Sequence, residues 1–134
     1  MTIEPYKGVE LMEFGMTPQQ IENQAGAPLA RTNNYLGGLK LIFPGFNVEF
    51  DHDRMVEVTL TGSGQVSLYG VMIVNSLEGK RALLASSEER VRGNGSIILM
   101  DLGVAIPDIG DLPFPLTAFT YGRMDPILHE YEKI

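Results

Sequence analysis

The sequence contains no cysteine, and this absence excludes several kinds of chemistry at once. A chain without thiols forms no disulfide, no thiolate zinc site and no cysteine nucleophile. A lack of cysteine is also in keeping with a reducing compartment. The first residues, MTIEPYKGVE, show no basic segment followed by an apolar one, so no signal peptide is expected. We therefore predict a cytoplasmic protein.

Long apolar runs and an excess of positive charge are also missing. The longest apolar stretches, such as LYGVMIV at residues 68–74, have the length of a strand and are too short to cross a bilayer. Seventeen acidic residues against ten basic ones give a net charge of −7. Such a chain is repelled by nucleic acids and anionic membranes and suits a basic protein partner. Solubility alone explains the same charge, so this alternative stays open.

Motifs for catalysis and metal binding are absent as well. The two histidines, His52 and His129, have no companions at the spacing of a metal site. The run DHD at residues 51–53 offers two carboxylates and an imidazole to a cation, but a polar hairpin turn explains it better. No phosphate loop and no G-x-S-x-G elbow occurs. We expect no catalytic residue, no metal, no cofactor and no enzyme activity, although a triad built from distant residues stays open.

A capping signal predicts the first helix. Thr17 and Gln20 have the spacing of a capping box, and Pro18 between them fits the first helical position. Gly26 is typical of the residue that ends a helix. A short helix is therefore expected between Thr17 and Gly26.

Alternating apolar residues on both sides of the polar turn DHDR predict a β-hairpin. The residues expected to face the core are Phe46, Val48, Phe50, Val56, Val58 and Leu60.

Residues 8–62 and 70–122 share one order of elements, namely a strand, a helix and then antiparallel strands. With a C-terminal helix over about residues 124–132, we predict a single domain, residues 1–134, of the α+β class. It is expected to be a tandem pseudo-repeat of helix plus antiparallel β-meander, with the sheet packed against the helices. The alternative is that two ordinary α+β stretches look alike by chance.

Acidic residues lie in matching turns of the two predicted repeats. If the repeats pack side by side, the two turns form one acidic rim. Three apolar residues of the second turn, Ile109, Leu112 and Phe114, interrupt its charge and are expected to be exposed anchors. Such anchors ringed by acids are typical of a protein-binding surface. The alternative is that these residues only cover the end of the core. The predicted partner-binding residues are Asp51, Asp53, Asp108, Asp111, Leu112 and Phe114.

The stretch GMTPQQIENQAGAP at residues 15–28 resembles the helix opening of the SmpA/OmlA and β-lactamase-inhibitor-protein group, which has a G-M-T/S-x-x-Q-I…G-x-P pattern. The resemblance covers about residues 15–60 and implies a helix packed on an antiparallel sheet, repeated in tandem in the inhibitor proteins. The chain lacks the lipid-acceptor cysteine of the lipoprotein members, so we expect no outer-membrane assembly factor. The second half, DLGVAI…LTAFTYGRMD, is similar to the closing strands of small bacterial immunity proteins.

These observations predict an immunity-type protein that binds and neutralises a cognate bacterial toxin by occluding its active site. An acidic surface speeds the encounter with a basic toxin or effector domain, and apolar anchors buried on binding slow its release. The alternative is a small-molecule-binding module without catalytic activity, with the ligand between the sheet and the helices.

Overall fold

The computed structural model describes residues 1–34, 37–62, 65–68, 71–73, 75–110 and 112–134. The helices in these ranges are α1 (Pro18–Ala25), α2 (Leu77–Ser86) and a 3-10 helix (Asp125–Glu130). The strands of the first half are β1 (Thr2–Glu4), β2 (Gly8–Val9), β3 (Met12–Glu13), β4 (Ala30–Asn33), β5 (Leu39–Phe43), β6 (Phe46–Asp51) and β7 (Arg54–Leu60). Those of the second half are β8 (Val66–Leu68), β9 (Val71–Ile73), β10 (Arg90–Gly93), β11 (Ser96–Leu99), β12 (Val104–Pro107), β13 (Leu116–Phe119) and β14 (Glu132–Lys133).

Mostly antiparallel pairing joins these strands into two sheets. A five-stranded sheet has the order β3-β2-β1-β8-β9, with β1 and β8 parallel. A nine-stranded sheet has the order β14-β10-β11-β12-β13-β7-β6-β5-β4. The fold is therefore of the α+β class, and strands predominate over helices.

The nine-stranded sheet consists of two antiparallel meanders that meet at one pair of strands. β4 to β7 form one meander, β10 to β13 form the other, and β7 pairs with β13 where they meet. A row of directly opposite residues crosses this junction: Arg31, Leu41, Val48, Val58, Ala118, Val104, Leu99 and Arg90. Its six apolar members are at most 1% exposed, so the row marks the face that points into the core.

The core lies between this face and a second layer of strands and helices. One contiguous cluster of buried residues has members from both sheets and from both α-helices. Ile3 and Leu68 come from the five-stranded sheet, Ile21 from α1 and Leu83 from α2. Each helix is thus fixed mainly through one fully buried aliphatic side chain, because its other side chains face outward or are only partly covered; in α2 the backbone of Gly79 is buried as well.

The predicted capping of α1 is confirmed. The Thr17 hydroxyl accepts a hydrogen bond from the Gln20 amide at 3.3 Å, and the Gln20 side chain accepts one from the Thr17 amide at 2.9 Å. Pro18 is the first helical residue, and Gly26 ends the helix with a φ of 85°. A positive φ costs glycine little, which is why the helix stops there.

A β-bulge changes which residues of β7 face the core. Glu49 pairs with Glu57, but Phe50 pairs with Met55, so Val56 is an extra residue in β7. Because of the extra residue, the part of β7 that precedes Val56 has its inward and outward side chains exchanged relative to a regular strand. Met55 is therefore buried and Val56 only half-buried, and the prediction that Val56 faces the core is wrong.

The remaining hairpin predictions follow the period-two pattern. The residues confirmed as buried are Val48, Phe50, Val58 and Leu60, and Phe46 is half-buried.

The C-terminal segment differs from the helix predicted over residues 124–132. Only Asp125–Glu130 is helical, as a 3-10 helix, and Glu132–Lys133 form β14. β14 pairs with β10 at the edge of the nine-stranded sheet, and this pairing keeps the last residues extended. Because β11 and β12 separate β13 from β10, the chain crosses the sheet before it reaches that edge.

We predict that Val58→Asp destabilises the protein by about 4 kcal/mol, since Val58 is 0% exposed and an unpaired charge would be buried in the core. A matched change on the other face of the neighbouring strand, Asn47→Asp, should cost less than about 1 kcal/mol because Asn47 is half-buried outside the core. Urea unfolding followed by circular dichroism measures both. Similar losses in the two variants would contradict this assignment of the faces.

Candidate functional site

The acidic rim predicted from the two turns does not form. The turn with Asp51 and Asp53 precedes β7, whereas Asp108 precedes β13. β7 and β13 are antiparallel, and Leu60 at the end of β7 pairs with Leu116 at the start of β13. The two turns therefore lie at opposite ends of the sheet, separated by the seven residues of β7, which span about 20 Å at roughly 3.3 Å per residue. The prediction of one shared rim is wrong, and Asp111 lies outside the described residues.

Phe114 is part of the core and not an exposed anchor. It is 5% exposed, and its backbone N–H and C=O are both bound by the side-chain amide of Asn75, at 3.0 and 3.1 Å. The ring of Phe114 stays in the core because these two hydrogen bonds connect the loop before β13 to the segment before α2. Leu112 is 51% exposed, and its role in partner binding stays a prediction.

Asp108 is occupied by neighbouring cations. Its carboxylate lies 2.9 Å from Nε of Arg92, and its backbone carbonyl accepts a hydrogen bond from Nζ of Lys80 at 3.0 Å. These contacts hold the loop after β12 against β10 and α2. Asp108 therefore presents less free negative charge to a partner than an exposed, unpaired carboxylate does.

The space between the two sheets beside Phe114 is too small for an organic ligand. A cavity there has a volume of about 20 Å³ and is lined mainly by Leu60, Ile73 and Leu116. This volume accommodates about one water molecule. The cavity therefore gives no support to a small molecule held between the two sheets at this point, and the alternative of a ligand between sheet and helices stays a prediction.

A different site lies at the end of the sheet that carries Asp51, where β13 ends and β10 begins. It is a surface cavity of about 210 Å³ with three aromatic rings and two carboxylates among its walls. We refer to it as the aromatic pocket. Its lining residues are Tyr6, Glu89, Met100, Phe119, Tyr121, Gly122, Met124 and Asp125.

Tyr6 organises the aromatic part of this pocket. It lies in the turn between β1 and β2 with a φ of 61°, which is uncommon for a bulky residue. Its hydroxyl donates a hydrogen bond to the carbonyl of Met100. Its ring contacts Phe119 edge-on, at 5.8 Å between centroids, and Tyr121 in a tilted arrangement at 4.8 Å. Phe119 is 1% exposed and Tyr121 is 82% exposed, so the pocket has a buried aromatic floor and an exposed aromatic wall.

Negative charge surrounds the rings. Glu89 and Asp125 line the pocket with exposed side chains. Asp101 lies nearby, where burial opposes its ionisation, but hydrogen bonds from the Glu88 amide and the Ser87 hydroxyl outweigh this effect and lower its pKa. Asp101 therefore stays ionised and adds to the negative potential around Tyr6.

The same surroundings affect the phenol of Tyr6. Burial, reinforced by the Tyr121 hydroxyl and by the carboxylates of Asp101, Glu89 and Asp125, raises the pKa of Tyr6 to about 12. The hydroxyl thus remains a neutral hydrogen-bond donor over the whole physiological range.

A half-buried ion pair lies next to Phe119, one of the residues that line the aromatic pocket. Glu57 is directly opposite Phe119 across the β7–β13 junction, and its carboxylate lies 2.9 Å from Nε of Arg123. Burial raises the pKa of Glu57, Arg123 opposes the shift, and the carboxylate of Glu49 on the next strand adds to it. Glu57 in turn neutralises much of the positive charge that Arg123 would bring to this end of the sheet.

The exposed carboxylates at this end of the sheet come from the β6–β7 turn, the segment before β10 and the start of the 3-10 helix. We define the acidic end as Asp51, Asp53, Glu88, Glu89 and Asp125, all of which are exposed.

Within the described ranges, no group of three or more His, Asp or Glu side chains is placed to hold a metal ion. His52 contacts the Asp51 carboxylate at 2.9 Å in the β6–β7 turn and is 93% exposed there. Both His52 and Asp53 have a positive φ, as a two-residue type I′ turn requires. A hairpin turn thus accounts for the run of residues 51–53.

None of the helices in the described part of the chain is long and apolar enough to cross a membrane. No protein-family model, no curated protein and no solved structure matches the sequence or the fold.

We predict that one tyrosine of the folded protein ionises only near pH 12, and that this late step in the ultraviolet absorbance titration disappears in Tyr6→Phe. The folded pKa lies above the ordinary value of 10.0, so the unfolded chain loses this proton first. The stabilising contribution is complete below pH 10 and is lost as the pH rises toward 12. A late step that persists in Tyr6→Phe would assign it to another tyrosine.

We also predict that Glu49→Gln lowers the pKa of Glu57 toward its ordinary value of 4.5, because a carboxylate on the neighbouring strand is removed. In the wild-type protein the raised pKa means that stability contributed by Glu57 is complete below pH 4.5 and is lost as the pH rises through the folded pKa. Carboxyl ¹³C chemical shifts measured against pH report the value directly. Glu78→Gln, an exposed change on α2, is the control, and an unchanged Glu57 pKa in Glu49→Gln would contradict the coupling.

Proposed function

We propose that the chain is an immunity-type inhibitor that binds a basic toxin or effector domain through the acidic end and occludes its active site. The observation that carries this proposal is the placement of five exposed carboxylates along one end of the nine-stranded sheet, from the β6–β7 turn to the segment before β10. A net charge of −7 favours a cationic partner over a nucleic acid or an anionic membrane.

Three cations near the acidic end are engaged within the molecule, which leaves nearby carboxylates available to a partner. Arg123 is paired with Glu57, and Lys7 lies 3.3 Å from Glu4. Arg54 donates a hydrogen bond to the carbonyl of Gly15 at 3.2 Å. Arg90 and Lys133 also lie at this end, beside Glu88 and Glu89, but the five carboxylates outnumber them. A net negative field of this kind increases the rate at which an oppositely charged protein arrives.

We further propose that the chain is a tandem repeat, as the resemblance to the β-lactamase-inhibitor-protein group implies. Each half has an α-helix followed by four antiparallel strands of the large sheet, which supports this interpretation. Positions at equal distances from the junction in this row also carry similar residues. The equivalent positions are Val58 and Ala118, Val48 and Val104, Leu41 and Leu99, and Arg31 and Arg90.

This arrangement would reverse one repeat relative to the other, so that equivalent turns, such as β6–β7 and β12–β13, would lie at opposite ends of the sheet. Evolution of an acidic end on one side only is compatible with a binder that uses a single interface. We retain the proposal of a cytoplasmic protein without catalytic activity, because an inhibitor of this kind acts by occupying a surface and needs no chemistry of its own.

Charge reversal at the acidic end tests the proposal. A partner is first obtained by capture on the immobilised protein from the source cell and identified by mass spectrometry. We expect Asp51→Lys/Glu88→Lys to slow association about tenfold at low salt, with a difference that shrinks as salt rises. Dissociation should change little, because exposed charges act mainly on the encounter.

The matched control reverses two exposed carboxylates elsewhere. Glu78→Lys/Glu132→Lys makes the same change in net charge, since Glu78 begins α2 and Glu132 lies in β14. Stopped-flow or biosensor kinetics on both variants, after circular dichroism shows that they are folded, separate a local interface from a general charge effect. Equal slowing in the two variants, or none in either, would rule out the acidic end as the interface.

A further inference from the structure

We propose that the aromatic pocket binds the guanidinium group of an arginine side chain supplied by the partner. The guanidinium would make a cation–π contact with the ring of Tyr121 and ion pairs with the carboxylates of Glu89 and Asp125. This inference rests on the proposed function, because it names the chemistry at the centre of the same acidic end. It assigns the pocket to one side chain and not to a free organic ligand.

The size of the pocket favours a side chain. Its volume of about 210 Å³ lies below the roughly 300–1,000 Å³ of pockets that enclose drug-sized ligands. It is open to solvent on the side where Tyr121 is 82% exposed, so a side chain can enter while its backbone stays outside. A single group inserted into a well-formed pocket is the usual form of an interface hot spot.

The rings provide a surface for a planar cation. Tyr6 and Tyr121 lie 4.8 Å apart between centroids, and Tyr6 is fixed by its hydrogen bond to the Met100 carbonyl and by the buried ring of Phe119. Tyr6 thus gives the exposed ring of Tyr121 a fixed ring to pack against before a partner arrives, and restricting a side chain in advance reduces the entropy lost on binding. A cation over a tyrosine face is attracted by the ring's quadrupole, and arginine makes this contact more often than lysine does.

The carboxylates select the sign of the ligand. Glu89 and Asp125 line the pocket from two different segments, one before β10 and one in the 3-10 helix. A guanidinium group presents several N–H donors in a plane and can bind both carboxylates while it stacks on the ring. An ammonium group is a compact, strongly hydrated charge and stacks less well, so arginine is favoured over lysine.

The adjacent hollow on the surface is a poor alternative for a cation. It shares Glu89 and Met100 with the aromatic pocket, but Arg90 and Lys133 are also in its wall. Positive side chains there repel an incoming guanidinium. The aromatic pocket is therefore the cation site of this region of the surface.

The test uses a small probe and does not require the partner. Nα-acetyl-arginine N-methylamide is titrated into the 134-residue chain at constant ionic strength, and methionine methyl groups labelled with ¹³C are followed by NMR. We expect saturable shifts of the methyl signals of Met100 and Met124, which line the pocket, with half-saturation on the order of a few millimolar. The buried methyl groups of Met12 and Met55 should not move.

Two kinds of control make the result specific. The citrulline counterpart of the probe has nearly the same shape without the charge and should give no saturable shift, and the lysine counterpart should bind more weakly than arginine. Tyr121→Leu should weaken binding of the arginine probe about fivefold. Glu89→Gln should also weaken it, whereas Tyr131→Leu, outside the pocket, should leave it unchanged.

The proposal is overturned by the absence of saturable shifts at Met100 and Met124, by equal shifts from arginine and citrulline, or by unchanged affinity in Tyr121→Leu. Failure here is distinct from failure of the proposed function. If the probe binds but charge reversal of Asp51 and Glu88 leaves association with the partner unaffected, the pocket stands and the acidic end is not the interface. If charge reversal slows association but no probe binds, the interface stands and the pocket is not its arginine site.

Discussion

The structure depends on the pairing of β7 with β13. This single antiparallel pair joins two four-stranded meanders into one nine-stranded sheet and gives the molecule a continuous inner face. Val58 and Ala118, which are directly opposite each other in this pair, are at most 1% exposed. The core cluster contains residues of both meanders together with residues of both α-helices and the five-stranded sheet, so the pairing and the core stabilise each other.

The β7–β13 pair also determines which charged turns lie at the same end of the sheet. Because β7 and β13 run in opposite directions, the turn that precedes β7 and the loop that precedes β13 are at opposite ends of the sheet. The end of β13 instead brings Phe119, Tyr121 and Asp125 toward the start of β10, where Glu88 and Glu89 precede the strand. Tyr6 reaches this place from the first turn of the chain and closes it with an aromatic ring. The acidic end and its pocket thus follow from the topology and not from a contiguous motif.

Local signals in the sequence predicted local structure well. The capping box of Thr17 and Gln20 and the alternation around Val48 and Val58 depend on neighbours a few residues apart, and these elements formed as expected. The sequence carried no sign of the bulge at Val56, because an extra residue is defined only by the register of the partner strand. Turn composition likewise could not show which turns share an end.

Phe114 shows a second limit of sequence reasoning. Its position among acidic residues suggested exposure, but the side-chain amide of Asn75, 39 residues earlier in the sequence, binds its backbone N–H and C=O and the ring is buried. Tyr6, Glu89, Tyr121 and Asp125 were missed for the same reason, since they come from separate segments and no spacing links them. A tyrosine or carboxylate on its own is common on protein surfaces, and only the strand order brings these four together.

The most direct test of this account uses the absence of cysteine in the natural chain. Thr59 and Thr117 are directly opposite in the β7–β13 pair, with hydroxyl oxygens 3.0 Å apart. The double variant Thr59→Cys/Thr117→Cys should form an intramolecular disulfide rapidly under mild oxidation of the folded protein, as mass spectrometry and thiol titration will show. Two free thiols that persist in the folded, oxidised protein would contradict the central pairing and, with it, the placement of the acidic end.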